Sequence, residues 1–297
     1  MSSSAARPRP FSLVVRTAFA GGFVAAAAAF ALAAGGPLDQ AMDAFKQGDY
    51  AKTVEIAGAV KMGDAARPRA AYLAGEANLC LQQWDDAEKA FREVLAKKAD
   101  SVPALVGLGR ALTGKGSADD AIATLEKAVK LEGKDVAARR ALGEARLAKG
   151  DLEKARADLD AAVKLDPKDP LTSRSLVECS LRSEKFDLAS KEAERLAKAI
   201  PDHPMGHFLR GLCLDRDGKD KDAIEAYEKA IAKDDKFIDA HKNLAILCVA
   251  KSNTYQDRDR VKKAFEHFQR YFDLGGRDEE LKTVYETIKD VLKPYGY

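Results

Sequence analysis

The segment GRALTGKG, Gly109–Gly116, comes nearest to a phosphate-binding site. In the pattern G-x-x-x-x-G-K-[ST], backbone N–H groups and the lysine hold phosphate oxygens, and the final hydroxyl binds a metal ion. Gly114 and Lys115 fit this pattern, but Gly116 stands where the hydroxyl residue is required. No strand is predicted before the segment, whereas such a loop joins a strand to a helix. We therefore expect no nucleotide site and no cofactor.

Two histidines have the spacing of a helical metal-binding pair. His203 and His207 are four positions apart, which would place both on one side of a helix. Pro204 lies between them, and the sequence offers no third ligand. Packing or surface exposure explains both histidines better than a metal ion does, so we expect no metal site.

The cysteines do not suggest catalysis either. All fall in segments that read as helices, at Cys80, Cys179, Cys213 and Cys248. Because neighbouring helices lie about 8–10 Å apart, beyond disulfide reach, we expect buried thiols and not disulfides or nucleophiles. No Ser/His/Asp, Cys/His or paired-carboxylate arrangement is specific enough to argue from. The sequence predicts a protein that is not an enzyme.

The composition of the chain favours closely packed helices. Hydrophobic residues make up 46% of the 297 residues and aromatic residues only 7%, so a core must be built mainly from Ala, Leu, Val and Ile. Such side chains suit helices more than sheets. The 49 basic and 47 acidic residues nearly balance, which gives no reason to expect nucleic acid as a partner.

The N-terminal segment 1–34 differs from the rest of the chain. Three arginines precede the apolar run TAFAGGFVAAAAAFALAA, which ends in small residues. This arrangement is typical of a secretory signal peptide cut near Ala33 or Ala34. The alternative is an uncleaved anchor, since the run just reaches a length that could span a bilayer. We expect a periplasmic or secreted protein, or one anchored in the inner membrane and facing the periplasm.

Small residues recur at one fixed interval in the remainder of the chain. One series consists of alanines, at Ala87, Ala121, Ala155, Ala189 and Ala223. Twelve positions earlier comes a second series, at Gly75, Gly109, Gly143, Val177 and Gly211. Glycines that could end a helix recur as well, at Gly116, Gly150 and Gly218. A fixed period of this length indicates a stack of repeated units.

The repeat VAARRALGEARLAKGDLEKARADLDAAVKLDPKD, residues 136–169, resembles a tetratricopeptide repeat (TPR) along its whole length. That resemblance implies a helix A, a tight turn and a helix B. Gly143 and Ala155 would let the two helices cross closely. Gly150 would end helix A in the left-handed conformation, and Asp151 would cap helix B. Pro167 would end helix B.

The resemblance implies an all-α fold, a right-handed α-solenoid of about seven TPR units, with the solenoid spanning residues 35–275. We place the units at 34–67, 68–101, 102–135, 136–169, 170–203, 204–237 and 238 to about 275. The first unit departs from the pattern, as terminal units often do. A short insertion lies around Ser252–Arg260, where a tolerated surface loop is favoured over a contact site. Residues 276–297 are predicted to form a capping helix whose apolar stripe consists of Leu281, Val284, Tyr285, Ile288 and Leu292.

In TPR proteins, helix A of each unit lines a concave groove that binds partner segments. The corresponding partner-binding candidates are Arg110, Arg140, Glu144, Arg174, Glu178, Met205, Phe208, Leu212, Lys242 and Ile246, with Asp215 on the same surface. An acidic or mixed-charge peptide with an apolar anchor would fit, since arginine forms forked hydrogen bonds with carboxylates. For Arg140–Glu144 and Arg174–Glu178, mutual i,i+4 pairing is an equally good explanation. Phe208 is the best single candidate, because an apolar groove residue lacks another explanation.

Two functions follow from these observations. The first is a non-catalytic scaffold in the bacterial cell envelope that binds other proteins in its groove. Crosslinking from a probe at Phe208 would test it best. The second is a periplasmic receptor for a small ligand, either a peptide or a cell-wall fragment, suggested by an apolar patch at Phe208. Neither function involves nucleic acid, and the membrane enters only through an uncleaved N-terminal segment.

Overall fold

The computed structural model describes residues 36–250 and 258–295, and every regular element within them is helical. There are fifteen α-helices in these residues: α1 Pro37–Lys46, α2 Tyr50–Gly58, α3 Arg67–Cys80, α4 Trp84–Lys97, α5 Val102–Gly114, α6 Ala118–Leu131, α7 Val136–Lys149, α8 Leu152–Leu165, α9 Pro170–Arg182, α10 Phe186–Ala199, α11 Pro204–Arg216, α12 Asp220–Lys233, α13 Ile238–Ala250, α14 Arg258–Asp273 and α15 Glu279–Leu292. A 3₁₀ turn, Lys293–Tyr295, follows. The all-α prediction is confirmed.

The chain divides into two compact units, and the division follows Ser117. The N-terminal unit, 36–117, contains α1–α5, in which α1 packs on α2 and α3 on α4. The C-terminal unit, 118–295, contains α6–α15, and its helices pack as the pairs α7–α8, α9–α10, α11–α12 and α13–α14. Each predicted repeat thus contains two helices. The first pair is the shortest, with helices of 10 and 9 residues, in line with its departures from the repeat pattern.

Small residues allow the two helices of a pair to cross closely, as predicted for Gly143. A Cβ atom at Gly143 would lie 2.6 Å from Leu159 Cγ and 3.2 Å from the backbone oxygen of Ala155. Leu159 is fully buried. The same relation recurs in other repeats, with Gly75 against Phe91 and Gly211 against Tyr227. The large residue of helix B fills the space that a side chain at the glycine would otherwise occupy.

The turn between the paired helices uses the left-handed backbone conformation. Gly150 ends α7 with φ 88°, as predicted. One repeat later, Glu184 takes the same conformation with φ 56°, although it carries a side chain. The turn geometry is therefore imposed by the packing of the helices, and glycine is the residue that adopts it with least strain.

The cap predicted at Asp151 is wrong. Asp151 stands at the N-cap of α8, but its side chain makes no capping hydrogen bond and lies instead 3.3 Å from Lys154 Nζ. Aspartates cap helix A of the pair: Asp135 accepts from the backbone N–H of Ala138, and Asp169 from that of Thr172. Because Gly150 already sets the tight turn, the start of α8 is fixed by backbone contacts, including Ala155 N–H to Asp151 O.

The last helix covers the end of the C-terminal unit. On α15, Ile288 and Leu292 are buried in the same core as α13 and α14. The remaining members of the predicted stripe are partly buried against that core: Leu281, Val284 and Tyr285. The ring of Tyr285 stacks on Phe265 of α14, with centroids 5.2 Å apart. The apolar stripe of α15 therefore packs against the last helix pair.

Two predictions concern residues that the structure does not describe. The N-terminal segment 1–34 lies outside the described residues, and so does most of the Ser252–Arg260 insertion. Arg258 is the first residue of α14. The boundary near residue 275 stays a prediction.

A histidine pair joins α13 to α14. His241 Nε2 donates to the backbone oxygen of Asp235 at 3.0 Å, so in the neutral ring Nδ1 accepts, and it lies 2.9 Å from Nδ1 of His267. Burial, and then the neighbouring His241, lower the pKa of His267 to about 4, and burial lowers the pKa of His241. The pair is therefore neutral when the protein is folded at neutral pH.

We expect two substitutions in the turns to have opposite effects on stability. A Cβ atom at Gly150 meets nothing within 4 Å, so Gly150→Ala changes only the backbone preference and should lower the free energy of unfolding by about 1 kcal/mol. Glu184→Gly should raise it by up to about 1 kcal/mol, because a side chain then no longer occupies the left-handed conformation. Urea unfolding followed by far-ultraviolet circular dichroism measures both. Changes of the same sign would contradict this account of the turn.

The histidine pair should make stability depend on pH. The folded-state pKa of His267 lies below its unfolded value of about 6.5, so its contribution is complete above pH 6.5 and is lost as the pH falls towards 4. The loss should be on the order of 3 kcal/mol at the acid end. Urea unfolding of the wild type and of His267→Gln at several pH values tests this. The variant should lose less stability between pH 6.5 and 4.5; an equal loss in both proteins would refute the assignment.

Candidate functional site

One side of each helix A in the C-terminal unit does not pack into the core. On α9 the buried residues leave Arg174, Glu178 and Arg182 as a line of charged side chains one turn apart. The equivalent positions of the neighbouring A helices lie on the same side of the unit and include apolar residues on α11 and α13; the Arg174–Asp239 pair joins α9 to α13 on this side. We call this surface the A-face and define it by Arg140, Glu144, Arg174, Glu178, Leu212, Lys242 and Ile246.

The predicted arginines of the A-face are already paired within the chain. Arg140 Nη1 lies 2.6 Å from Asp169 Oδ2, whereas the i,i+4 contact with Glu144 is longer, at 3.9 Å. Arg174 Nη1 donates to Asp239 Oδ2 at 2.9 Å. These side chains are mostly shielded from solvent, since 15% of Arg140 and 13% of Arg174 are exposed. A partner carboxylate would therefore meet guanidinium groups whose charge is already compensated by an internal carboxylate.

Lys242 is also paired within the chain. Its Nζ lies 3.1 Å from Asp278 Oδ2, just before α15, and 5.9 Å from the centre of the Tyr271 ring. In the N-terminal unit, Arg110 of α5 donates to Glu76 of α3 at 3.1 Å. The acidic member of each pair lies at least 29 residues away in the chain. Asp169 and Asp239 were missed in the sequence, because separations of 29 and 65 residues give no local signal.

The predictions that Phe208 and Met205 form an exposed apolar anchor are wrong. Phe208 is 2% exposed and Met205 is 4% exposed. The Phe208 ring packs edge-on against Phe237, with centroids 5.2 Å apart, and the guanidinium of Arg174 lies 6.0 Å from its centre. The Arg174–Asp239 pair joins α9 to α13 and covers Phe208 on α11 between them. Without an apolar patch at Phe208, the small-ligand receptor loses the observation that suggested it.

A glycine that the repeat pattern did not single out explains how tightly α11 packs. A Cβ atom at Gly206 would lie 2.5 Å from Cα of Ala197 on α10. The backbones of α10 and α11 therefore touch beside Met205, so no open groove lies next to that side chain.

Two apolar residues remain available on the A-face. Leu212 and Ile246 are partly buried, packed on one side against the core of the C-terminal unit. They lie on α11 and α13, one repeat apart and in the same repeat position. Their accessible edges form the apolar part of the surface.

Glu178 is the charged A-face residue without such a pairing. Among the described residues, no hydrogen bond or ion pair is found for its carboxylate. Burial raises the pKa of this carboxyl group, the charges of Arg182 and Arg174 lower it, and Glu144 raises it by the smallest contribution. Glu144 itself accepts a hydrogen bond from Ser175 Oγ at 2.7 Å. Glu178 is thus a desolvated carboxylate that lacks the partner its neighbours possess.

The remaining polar candidates have structural contacts. His203 is the N-cap of α11, where Nδ1 accepts from the backbone N–H of Met205, and burial lowers the pKa of His207. Within the described residues, no cluster of three metal-ligating side chains is present. The segment 109–114 forms the end of α5 and not a loop, and Lys115 pairs with Asp85 and Glu88.

The cysteines are free thiols, as predicted, and all but Cys80 are buried. Burial raises the pKa of Cys213 and of Cys80 to about 11, so neither ionises readily at neutral pH. Such thiols are poor nucleophiles.

Among the described helices, none is long and apolar enough to cross a bilayer. The apolar run near the N-terminus lies outside these residues.

Solved structures with a similar fold include TPR proteins. A tetratricopeptide repeat protein from Parabacteroides merdae ATCC 43184 matches with a TM-score of 0.64 at 13% identity, over 85% of this chain and 97% of that one. A chain of the APC/C hetero-tetramer Cut9–Hcn1 matches with 0.59 at 14% identity, over 84% of this chain and 48% of that one. A thermophilic TPR protein of Thermus thermophilus matches with 0.55 at 20% identity, over 61% and 99%. These similarities show the fold, a solenoid of helix-turn-helix units.

No curated protein sequence matches the chain significantly. The family model for the tetratricopeptide repeat matches residues 38–102, 79–132, 106–170 and 181–236, which together cover more than half of the chain. The helix pairs, the close crossings at glycine and the left-handed turns agree with that match. The chain therefore belongs to the tetratricopeptide repeat family.

Proposed function

We propose that this protein is a non-catalytic scaffold that holds other proteins on its A-face in the bacterial cell envelope. TPR proteins are generally scaffolds for protein–protein interaction. The observation that carries the proposal is the A-face itself. Except at Phe208, one side of successive A helices is only partly buried, and it combines half-buried Leu212 and Ile246 with paired charges.

The neighbours support a role in assembly. One of the similar chains was solved in a complex of Cut9 with Hcn1. For the present chain, the internal ion pairs fix the A-face before a partner arrives. A rigid surface loses less conformational entropy on binding than a flexible one, which favours stable association.

The envelope location rests on the N-terminal sequence. Arginines followed by an apolar run with small residues at its end support export, with the mature protein periplasmic or secreted. Retention of the segment would instead anchor the protein in the inner membrane, facing the periplasm. The partners we propose are therefore other proteins of an envelope complex.

Site-specific photo-crosslinking in the native host tests the binding surface. A photoreactive amino acid at Leu212 on the A-face should give crosslinks to one or a few other proteins. The same amino acid at Lys229, exposed on α12, is the matched control and should give far fewer. Mass spectrometry identifies the partners.

Equal crosslinking from both positions, or none from Leu212, would contradict binding on the A-face. The same spectra report the N-terminus of the mature protein. A start near Ala33 or Ala34 supports export with cleavage, and an intact start in the membrane fraction supports the anchored form. An intact chain in the cytosolic fraction would contradict the envelope location.

A further inference from the structure

We propose that Glu178 is the anchor for a basic side chain of the bound partner segment, which continues with apolar residues over Leu212 and Ile246. This inference rests on the proposed function and specifies its ligand as a peptide segment that carries lysine or arginine. It reverses the sign of the charge expected from the sequence, where the arginines suggested an acidic partner.

The first argument is the pairing of charges on the A-face. Arg140, Arg174 and Lys242 each have a carboxylate within about the length of a hydrogen bond, at 2.6, 2.9 and 3.1 Å. Glu144 accepts from Ser175 Oγ. Glu178 alone among these charged residues has no hydrogen bond or ion pair within the described structure. Among the residues that define the A-face, the Glu178 carboxylate is therefore the charge left without a partner in the described structure, with the exposed Arg182 one turn further along α9.

The second argument concerns the surroundings of the carboxylate. The Glu178 side chain is partly buried, but its carboxylate oxygens are not completely enclosed by the protein. The carboxylate thus reaches solvent from a site where burial raises its pKa and the charges of Arg182 and Arg174 lower it. Arg174 is held by Asp239, and the exposed Arg182 is not within ion-pair distance. An incoming ammonium or guanidinium group would supply charge-assisted hydrogen bonds to a carboxylate that now lacks them.

The third argument is the row of residues to which Glu178 belongs. Glu144, Glu178, Leu212 and Ile246 occupy one repeat position on α7, α9, α11 and α13, each separated from the next by one full repeat. Neighbouring helices are about 8–10 Å apart, and an extended peptide advances about 3.3 Å per residue. About three peptide residues therefore span the step between two A helices packed at this distance. The segment that fits has a basic residue, then an apolar residue about three positions away, and a second apolar residue about three positions further, in either chain direction.

Peptide selection tests the proposal directly. A phage-displayed library of random peptides is selected against the full chain, against Glu178→Gln and against Glu194→Gln, a matched control at an exposed position on α10. The wild type and the control should enrich lysine or arginine next to apolar residues at the stated spacing. Glu178→Gln should lose the basic preference and keep the apolar one. Enrichment of acidic residues, no charge preference, or no peptide enrichment would overturn the proposal.

A double-mutant cycle then assigns the contact. A selected peptide should bind Glu178→Gln at least tenfold more weakly, and the peptide with its basic residue replaced by glutamine should lose a similar factor against the wild type. Combining both changes should cause little further loss. If the loss for the combined changes equals the product of the two separate losses, the two groups do not contact each other and the proposal is wrong.

The melting temperature separates binding from structure. Because the carboxylate is desolvated and unpaired, Glu178→Gln should leave the melting temperature unchanged or slightly higher. A marked decrease together with unchanged peptide selection would show a structural role and overturn the proposal. If crosslinking at Leu212 captures partners while the basic preference is absent, this inference fails and the scaffold function stands.

Discussion

Several helix pairs depend on a close crossing that only a very small residue permits, although Val177 takes that position on α9. At Gly143 the side chain is missing where Leu159 of the partner helix is fully buried, and Gly211 and Tyr227 repeat this arrangement. Interiors packed to crystal-like density tolerate neither a void nor an extra methyl group at such a point. Because helix B fills the space on one side of helix A, the opposite side of helix A is left for the A-face.

The A-face in turn depends on ion pairs that connect different helix pairs. Arg140 pairs with Asp169, which also caps α9, so one carboxylate orders a helix start and neutralises a neighbouring charge. Arg174 pairs with Asp239 across α11. Shielded pairs of this kind are harder to break than exposed ones, since separating them leaves charges poorly solvated. They make the surface rigid and remove most of its positive charge before any partner binds.

The covering of Phe208 shows how one such pair changes the chemistry of a surface. Its position in the repeat is shared with Arg140, Arg174 and Lys242, which all lie on the accessible side of their helices. At Phe208 the Arg174 guanidinium and the Phe237 ring cover the aromatic side chain. What remains accessible is a row that changes from carboxylate at Glu178 to apolar side chains at Leu212 and Ile246. That row is the surface proposed above to bind a segment with one basic residue followed by two apolar residues.

The sequence by itself determined the helix pairs, their turns and the small residues at their crossings, because these are local features that recur in each unit. Gly150 predicts its turn and Gly143 its crossing from neighbours within about one repeat. Only the tertiary structure decided which A-face residues are available to a partner. Phe208 became core, Arg174 acquired a partner 65 residues away, and Glu178 was left unpaired. Pairing between side chains on separate helix pairs depends on how those pairs are stacked, and no periodic pattern in the chain records that geometry.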